Sequence, residues 1–575
     1  FRDIAIAMTF ATAISLFVSI SVIPMLSEKF FRLSGEKKKE RFAVLGRFGG
    51  RLVEAMMGFV NLAMKNTVTR LTTVLSLTFF SVVVTALLLP KMEYLPQGNR
   101  NLVINLLVPP PGLSYEEKMD IGKQFFRSVE PHFNKEHNGL PGIKNMFYVG
   151  SEQIMLSGAI SDHEQRAGEL VPLFMQKINS IPGMFGVSSQ AGIFQTRLGR
   201  ARTIEVDVSG SDINQLIKVA GTMFGMINNE IRDAQIRPVP SLELLFPEAR
   251  LLPDRDRLRA SGLSAEDLGI AVDVLMDGRK IGDFKQEGQK KIDLIVKAGE
   301  EDIKTPEELY NAMISTPGGK VVPVSSVSAL ERTSGITEIR HLERNRTITL
   351  QVTPPFTMPI EEAMELIDNK IIPAVKSLGL LQGVNVRQSG VADKLTETRK
   401  ALQWNLILAA VITYLLMAAL YENFVYPFII MLTVPLAGAG GFIGLKLVNI
   451  LIGTQPLDVL TMLGFVILIG VVVNNAILIV HQTLHNIREY GMEHREAVLD
   501  ATRSRLRPIY MAAFTSIFAM LPLVVAPGPG SELYRGLGSV IIGGLAVSTV
   551  FTVFVIPALL MFVIKMEKVQ NKKGF

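Results

Sequence analysis

The sequence predicts an α-helical membrane bundle of seven spans carrying a large α+β block on one side, and three observations predict it. Seven apolar stretches, at about 4–26, 71–90, 401–421, 424–449, 457–481, 508–527 and 536–564, reach the roughly 20 residues that a bilayer core requires. A single polar stretch of ordinary soluble character, about 91–400, separates the second from the third. The 575 residues are 48% hydrophobic and only 19% charged, at a mean hydropathy of +0.32, whereas a soluble chain carries about a quarter charged residues. Cysteine is absent, which excludes disulfide scaffolds, thiolate metal sites and cysteine nucleophiles together. The chain begins at Phe1 with no basic segment or cleavage site ahead of its first apolar run. It therefore reads as a piece of something longer, not as a protein with a signal peptide.

Orientation follows from the basic residues beside the spans. The 27–70 connector holds ten Lys/Arg against four Glu, net +6. The 482–507 loop has five Arg against four acids, net +1, and the 565–575 tail four Lys against Glu567, net +3. Counted back through seven crossings, all three fall on one side. They are cytoplasmic, and the 91–400 block is outside. The pI near 9.2 comes from charge beside membrane spans, so no nucleic-acid partner is read from it.

Within the block, 101–109 reads as an apolar strand, 115–136 as a helix with Ser114 as its cap, 142–149 as a second strand and 163–180 as a second helix. The 203–208 stretch alternates at period two, and a helix follows over 212–232. This βαβ repetition has the connection lengths of ferredoxin-like units. From 239 to 343 the pattern changes: strand 241–246, helix 264–276 capped by Ser264, a Gly-flanked turn at 278–284, strand 292–296 and helix 306–313. Strand–helix order returns at 347–352 and 360–378, so 239–343 reads as an insertion into a discontinuous unit.

The first and last spans share a pattern. Aligning Pro24 with Pro557 superposes Ser15 on Ser548 and Ala13 on Ala546, and a Lys-bearing segment follows both. The first span thus reads as the last helix of one repeat, followed by a complete second repeat of six, a plan common among transporters.

Several segments carry a family resemblance: Leu95-Pro96, Ala260-Ser261-Gly262-Leu263-Ser264, Val322-Pro323-Val324-Ser325, Ala419-Leu420-Tyr421-Glu422, Val434-Pro435-Leu436, GVVVNNAILIV at 470–480, and Arg505-Leu506-Arg507-Pro508. In order and spacing they resemble the C-terminal half of resistance–nodulation–division (RND) efflux pumps, in the hydrophobe/amphiphile exporter branch. The resemblance implies a proton-driven exporter of hydrophobic or amphiphilic compounds. It implies a homotrimer in a bacterial inner membrane, surrounded by lipid, with its large domain in the periplasm. Its partners would be the first repeat of the same pump, a periplasmic adaptor and an outer-membrane channel. It also divides the chain: a transmembrane helix at 1–26, a cytoplasmic connector at 27–70, a transmembrane helix at 71–90, and a porter subdomain at 98–200. A second porter subdomain would lie at 201–238 plus 344–398, a channel-docking subdomain at 239–343, five helices over 401–564, and a cytoplasmic tail at 565–575. An RND-type metal exporter and a non-transporting sterol- or lipid-sensing relative are the alternatives.

An ionisable group inside a span is a functional candidate by default, yet the cores of the last five spans contain no Asp or Glu. Their informative site is Asn474-Asn475. Asn474, His481 and His485 share a helix face at i, i+7, i+11. As interhelical glue such amides contribute roughly 0.6–2 kcal/mol each. On the family's pattern they would instead hydrogen-bond a carboxylate pair carried by the matching helix of the first repeat, with no cofactor beyond the proton gradient. Well-known drug pumps place a Lys at the position of Asn474 and a Thr at that of Ala512; Thr515 and Ser516 are the nearest replacement hydroxyls here. Arg505 matches a family position at the cytoplasmic mouth. Phe147 matches a pocket aromatic, and Met155 follows the segment that replaces the drug pumps' switch loop. His481 and His485 have metal-compatible spacing but no third ligand, so no metal site is read. No P-loop, HExxH or GxSxG motif is present, and no catalytic residue is assigned.

Overall fold

The computed structural model describes residues 2–33, 43–95, 100–109, 113, 115–151, 155–164, 166–192, 202–242, 245–299, 303, 305–336, 338–526 and 530–572. Among them, seven helices are long and apolar enough to cross a membrane: Ile6–Phe30, Thr67–Leu88, Val391–Tyr421, Val425–Leu451, Val459–Arg488, His494–Val525 and Glu532–Ile564, taken below as the first to seventh spans. The third begins ten residues earlier than its apolar stretch, because the helix continues out of the bundle toward the α/β block. The fifth runs on past 481 to Arg488. Inside the basic connector, Ala43–Ala63 is a helix, which the sequence reading left unassigned; residues 34–42, with Lys37, Lys38 and Lys39, lie outside the described residues.

Small residues let the fourth and seventh spans approach closely. A Cβ added at Gly444 would lie 2.9 Å from Gly543 Cα, and one at Gly543 only 2.7 Å from Gly444 Cα and in collision with the Gly440 carbonyl. Backbones in contact at this distance gain dispersion energy that lipid cannot supply. Ser81 of the second span donates to the Pro435 carbonyl at 2.6 Å, and Tyr421 to Ile477 O at 3.2 Å, so these two hydroxyls find partners on neighbouring helices.

The block outside the bundle holds two α/β units of like plan. The first is an antiparallel sheet with strand order Ile143–Gly150, Met155–Ser161, Leu102–Val108, Phe185–Gln190. Its core packs Val103, Leu107 and Met155 against Phe125 and Phe174 of the helices Tyr115–Val129 and Leu170–Asn179. The second sheet repeats the order with Gln235–Val239, Asn345–Thr353, Ile204–Gly210 and Val384–Gly390. It draws strands from both sides of 240–340, whose own elements form three separate two-stranded sheets.

Four local expectations need correction. The helix expected over 115–136 stops at Val129, where Pro131 enters a 3₁₀ turn; its expected cap Ser114 lies outside the described residues. The helix expected from 163 starts only at Leu170, after a 3₁₀ turn at Ala167–Glu169. The strand expected at 241–246 is Leu245–Pro253. The expected turn at 278–284 is a strand, Arg279–Phe284, paired with Ile292–Val296; its Gly282 marks an irregularity in register, not a reversal. Ser264 does cap its helix: its Oγ accepts from Asp267 N at 3.1 Å, while its own N–H donates to the Asp267 carboxylate at 2.9 Å. Those bonds from the Ser264 backbone and hydroxyl hold Asp267 below the usual carboxylate range.

Adding a methyl to the glycine seam overpacks it. Gly543→Ala should lower bundle stability by about 1–3 kcal/mol, seen as an earlier unfolding midpoint in a denaturing-detergent titration. Gly221→Ala, in the helix Ile213–Glu230 with open space around it, should instead stabilise by about 0.5–1 kcal/mol.

Candidate functional site

The adjacent amides of the fifth span have different surroundings. Asn475 is buried and donates from Nδ2 to Thr549 Oγ1 of the seventh span at 3.1 Å. Asn474 is exposed on the outer face of the described bundle, as is His481, while His485 is half-buried beside Glu489 at 3.1 Å. On the sixth span, Thr515 is exposed and its hydroxyl returns to Met511 O at 2.7 Å; Ser516 is half-buried. Arg505 bonds Gln482 of the fifth span through Nη2. The structure thus joins Asn475 to Thr549 and Arg505 to Gln482, two partners the sequence reading did not name.

The pocket candidates fall elsewhere. Met155 is fully buried in the core of the first unit, and residues 152–154 before it lie outside the described residues. Phe147 is on the sheet's outer strand, its ring covering Gly158. A cavity borders the opposite edge strand, so strand order separates it from both residues. It holds about 570 Å³ and lies between the first unit's Phe185–Gln190 strand and the second unit's Phe224, Gln235 and 353–356 segment. Its walls are mostly apolar. Gln235 joins the two sides, Nε2 donating to Ser188 O at 3.0 Å.

Arg202, only 7% exposed, lines this cavity and is held by the opposite segment. Its guanidinium donates to the carbonyls of Pro354 (3.2 Å), Pro355 (3.2 Å) and Met358 (2.7 Å), and lies 5.4 Å from the Phe356 ring centre. Nη2 also pairs with Glu93 Oε2 at 2.9 Å, and Glu93 is 1% exposed. Glu93 sits in the short strap leading out of the second span. The strap's Met92 N–H donates to Glu361 Oε2 at 2.6 Å, and Arg399 of the third span donates to Glu361 Oε1 at 2.7 Å. Beside it, Lys91 meets Glu365 at 2.6 Å, a hydrogen bond that raises the lysine's pKa. Among the described residues no group of three or more His, Asp or Glu could hold a metal ion.

Comparison with known proteins agrees with this architecture. The model of the AcrB/AcrD/AcrF family matches residues 1–564. Two crystal forms of a heavy metal efflux pump are similar in fold, each at 20% identity and a TM-score of 0.72, covering 91% of this chain and 53% of the pump's. The chain thus spans about half the length of the structures it matches.

Burial separates the two amides energetically. A double-mutant cycle of Asn475→Leu with Thr549→Val should return a coupling of about 0.6–1.7 kcal/mol. Asn474→Leu combined with Thr549→Val in the same chain should be additive to within about 0.5 kcal/mol.

Proposed function

The chain belongs to the AcrB/AcrD/AcrF family of RND efflux transporters, and from that premise we propose that it is the second repeat of a proton-driven exporter of hydrophobic or amphiphilic compounds. The observation that carries the substrate class is the cavity between the two α/β units. It is large, mostly apolar, and offers an aromatic face at Phe356 with hydrogen-bonding groups at its rim. A metal cargo, which the similar pump's description suggests, would want clustered donors; the cavity offers one carboxylate, Asp233, and one thioether, Met175. Met146 and Met155 give no second site, since Met155 is enclosed in the core.

The coupling reading rests on what the helices lack. Asn474 and Asn475 accept and donate hydrogen bonds but do not titrate. The exchangeable charge then belongs to acidic groups of a first repeat, which would pack on the exposed side of the fifth span at Asn474. The first span supports the same arrangement, since none of its apolar window is buried against the other six. By analogy with the family, the working unit is a trimer in a bacterial inner membrane, joined to a periplasmic adaptor and an outer-membrane channel.

Vesicles holding this chain alone should show no dye movement under an imposed pH gradient, and co-reconstitution with a first repeat should produce it. In the complete pump, Phe356→Ala should weaken binding of a lipophilic cationic dye roughly tenfold, about 1.4 kcal/mol, with no calorimetric binding of Zn²⁺ or Cu⁺. Micromolar metal binding with unchanged dye affinity would reverse the assignment.

A further inference from the structure

Each joint between the cavity and the fifth span is a short contact. The 353–356 segment forms one wall of the cavity, and Arg202 is bonded to the carbonyls of Pro354, Pro355 and, just beyond the wall, Met358. Arg202 holds Glu93, whose Oε2 also accepts from Ile360 N at 3.3 Å. The Glu93 N–H donates to Leu457 O at 3.0 Å, and Met92 bridges to Leu457 in parallel. The next residue, Asp458, is fully buried and caps the fifth span, its Oδ1 accepting from Thr461 N at 2.7 Å. That span carries Asn474 and Asn475.

A buried ion pair is a poor rivet, because desolvation offsets most of the attraction. Here Glu93 Oε1 and Arg202 Nε are buried with no hydrogen-bond partner among the described residues. Apolar side chains of similar size would hold the strap equally well. What the pair supplies is directionality: the guanidinium moves with the cavity wall, and the carboxylate with the strap. We propose that the Arg202–Glu93 pair transmits occupancy of the cavity to the capped start of the fifth span, with both acting as positioning residues. The inference rests on the reading of the cavity as the substrate's. A ligand stacking on Phe356 shifts the 354–358 segment, and Arg202, Glu93 and Leu457 carry the displacement to Asp458.

The test uses the complete pump in lipid nanodiscs with a lipophilic cationic dye. Dye affinity is measured by fluorescence anisotropy, and amide hydrogen exchange is followed over 457–465. Saturating dye should change exchange there at least threefold in the unsubstituted pump. The double variant Glu93→Met/Arg202→Met leaves no lone buried charge; at a dye concentration that saturates its own cavity it should lose the exchange response and at least tenfold in dye-driven kcat. Glu93→Gln alone, which keeps the side-chain shape but leaves Arg202 charged and unpaired, should lose most of the response. An exchange response retained in either variant, or absent from the unsubstituted pump while dye binds, overturns the transmission. Dye affinity indifferent to Phe356→Ala overturns the cavity assignment itself, and the transmission with it.

Discussion

Close contact between the fourth and seventh spans is the constraint on which the bundle depends. In hydrocarbon, helices gain nothing from hiding apolar surface, so backbone proximity and interhelical hydrogen bonds hold them. Gly440, Gly444 and Gly543 allow that proximity. With the seventh span fixed there, Thr549 is placed where the Asn475 amide reaches it, and Gly536 lies against Thr461 at the capped start of the fifth span. A bulkier residue in the seam would displace the start and the middle of the fifth span together.

Above the membrane the connection is polar, and this difference has consequences. The strap between the second span and the first α/β unit touches the second unit through Glu93 and through Glu361, whose carboxylate is shared with Arg399 of the third span, and reaches the start of the fifth through Leu457. Apolar packing would join these parts without regard to direction. Ion pairs and backbone hydrogen bonds fix which atoms move together. The third span adds a second route, because its helix runs unbroken from Val391 at the end of the second sheet to Tyr421 at the far end of the bundle. Motion of the sheet and tilt of that helix are therefore one event.

The spans announce themselves because twenty apolar residues in a row admit few readings, and the ferredoxin-like plan shows in its helices. The strands were harder. Met155–Ser161 and Phe185–Gln190 bury serines where a strand pattern calls for apolar residues, and Ser188 is accommodated by bonding Asn105 Oδ1 at 2.6 Å. Gln235–Val239 contains Pro238, which argues against a strand; it is tolerated because this strand pairs on one side only, with Asn345–Thr353. The cavity could not be read in sequence, since its walls come from segments some 160 residues apart. Nor could the unequal burial of two neighbouring asparagines. Glu93 did offer a signal, an acid among Met92, Tyr94 and Leu95 just beyond a span, but its partner Arg202 is 109 residues away.

Exposure of Asn474 bears on the proposed coupling in a specific way. A primary amide facing lipid leaves two donors and an acceptor unmet, so such a face is stable only when covered by a polar partner or water. On the proposed reading a carboxyl group of the first repeat supplies the cover. An amide neighbour stabilises either protonation state, accepting from the neutral acid or donating to the anion. A lysine at the same position would favour the anion alone and lower the acid's pKa. On that reading, with Asn474 in its place, the acid would hold its proton to higher pH, and release would depend more on a change in surroundings than on a fixed opposite charge. Coupling of that kind requires the helix bearing Asn474 to move relative to its partner.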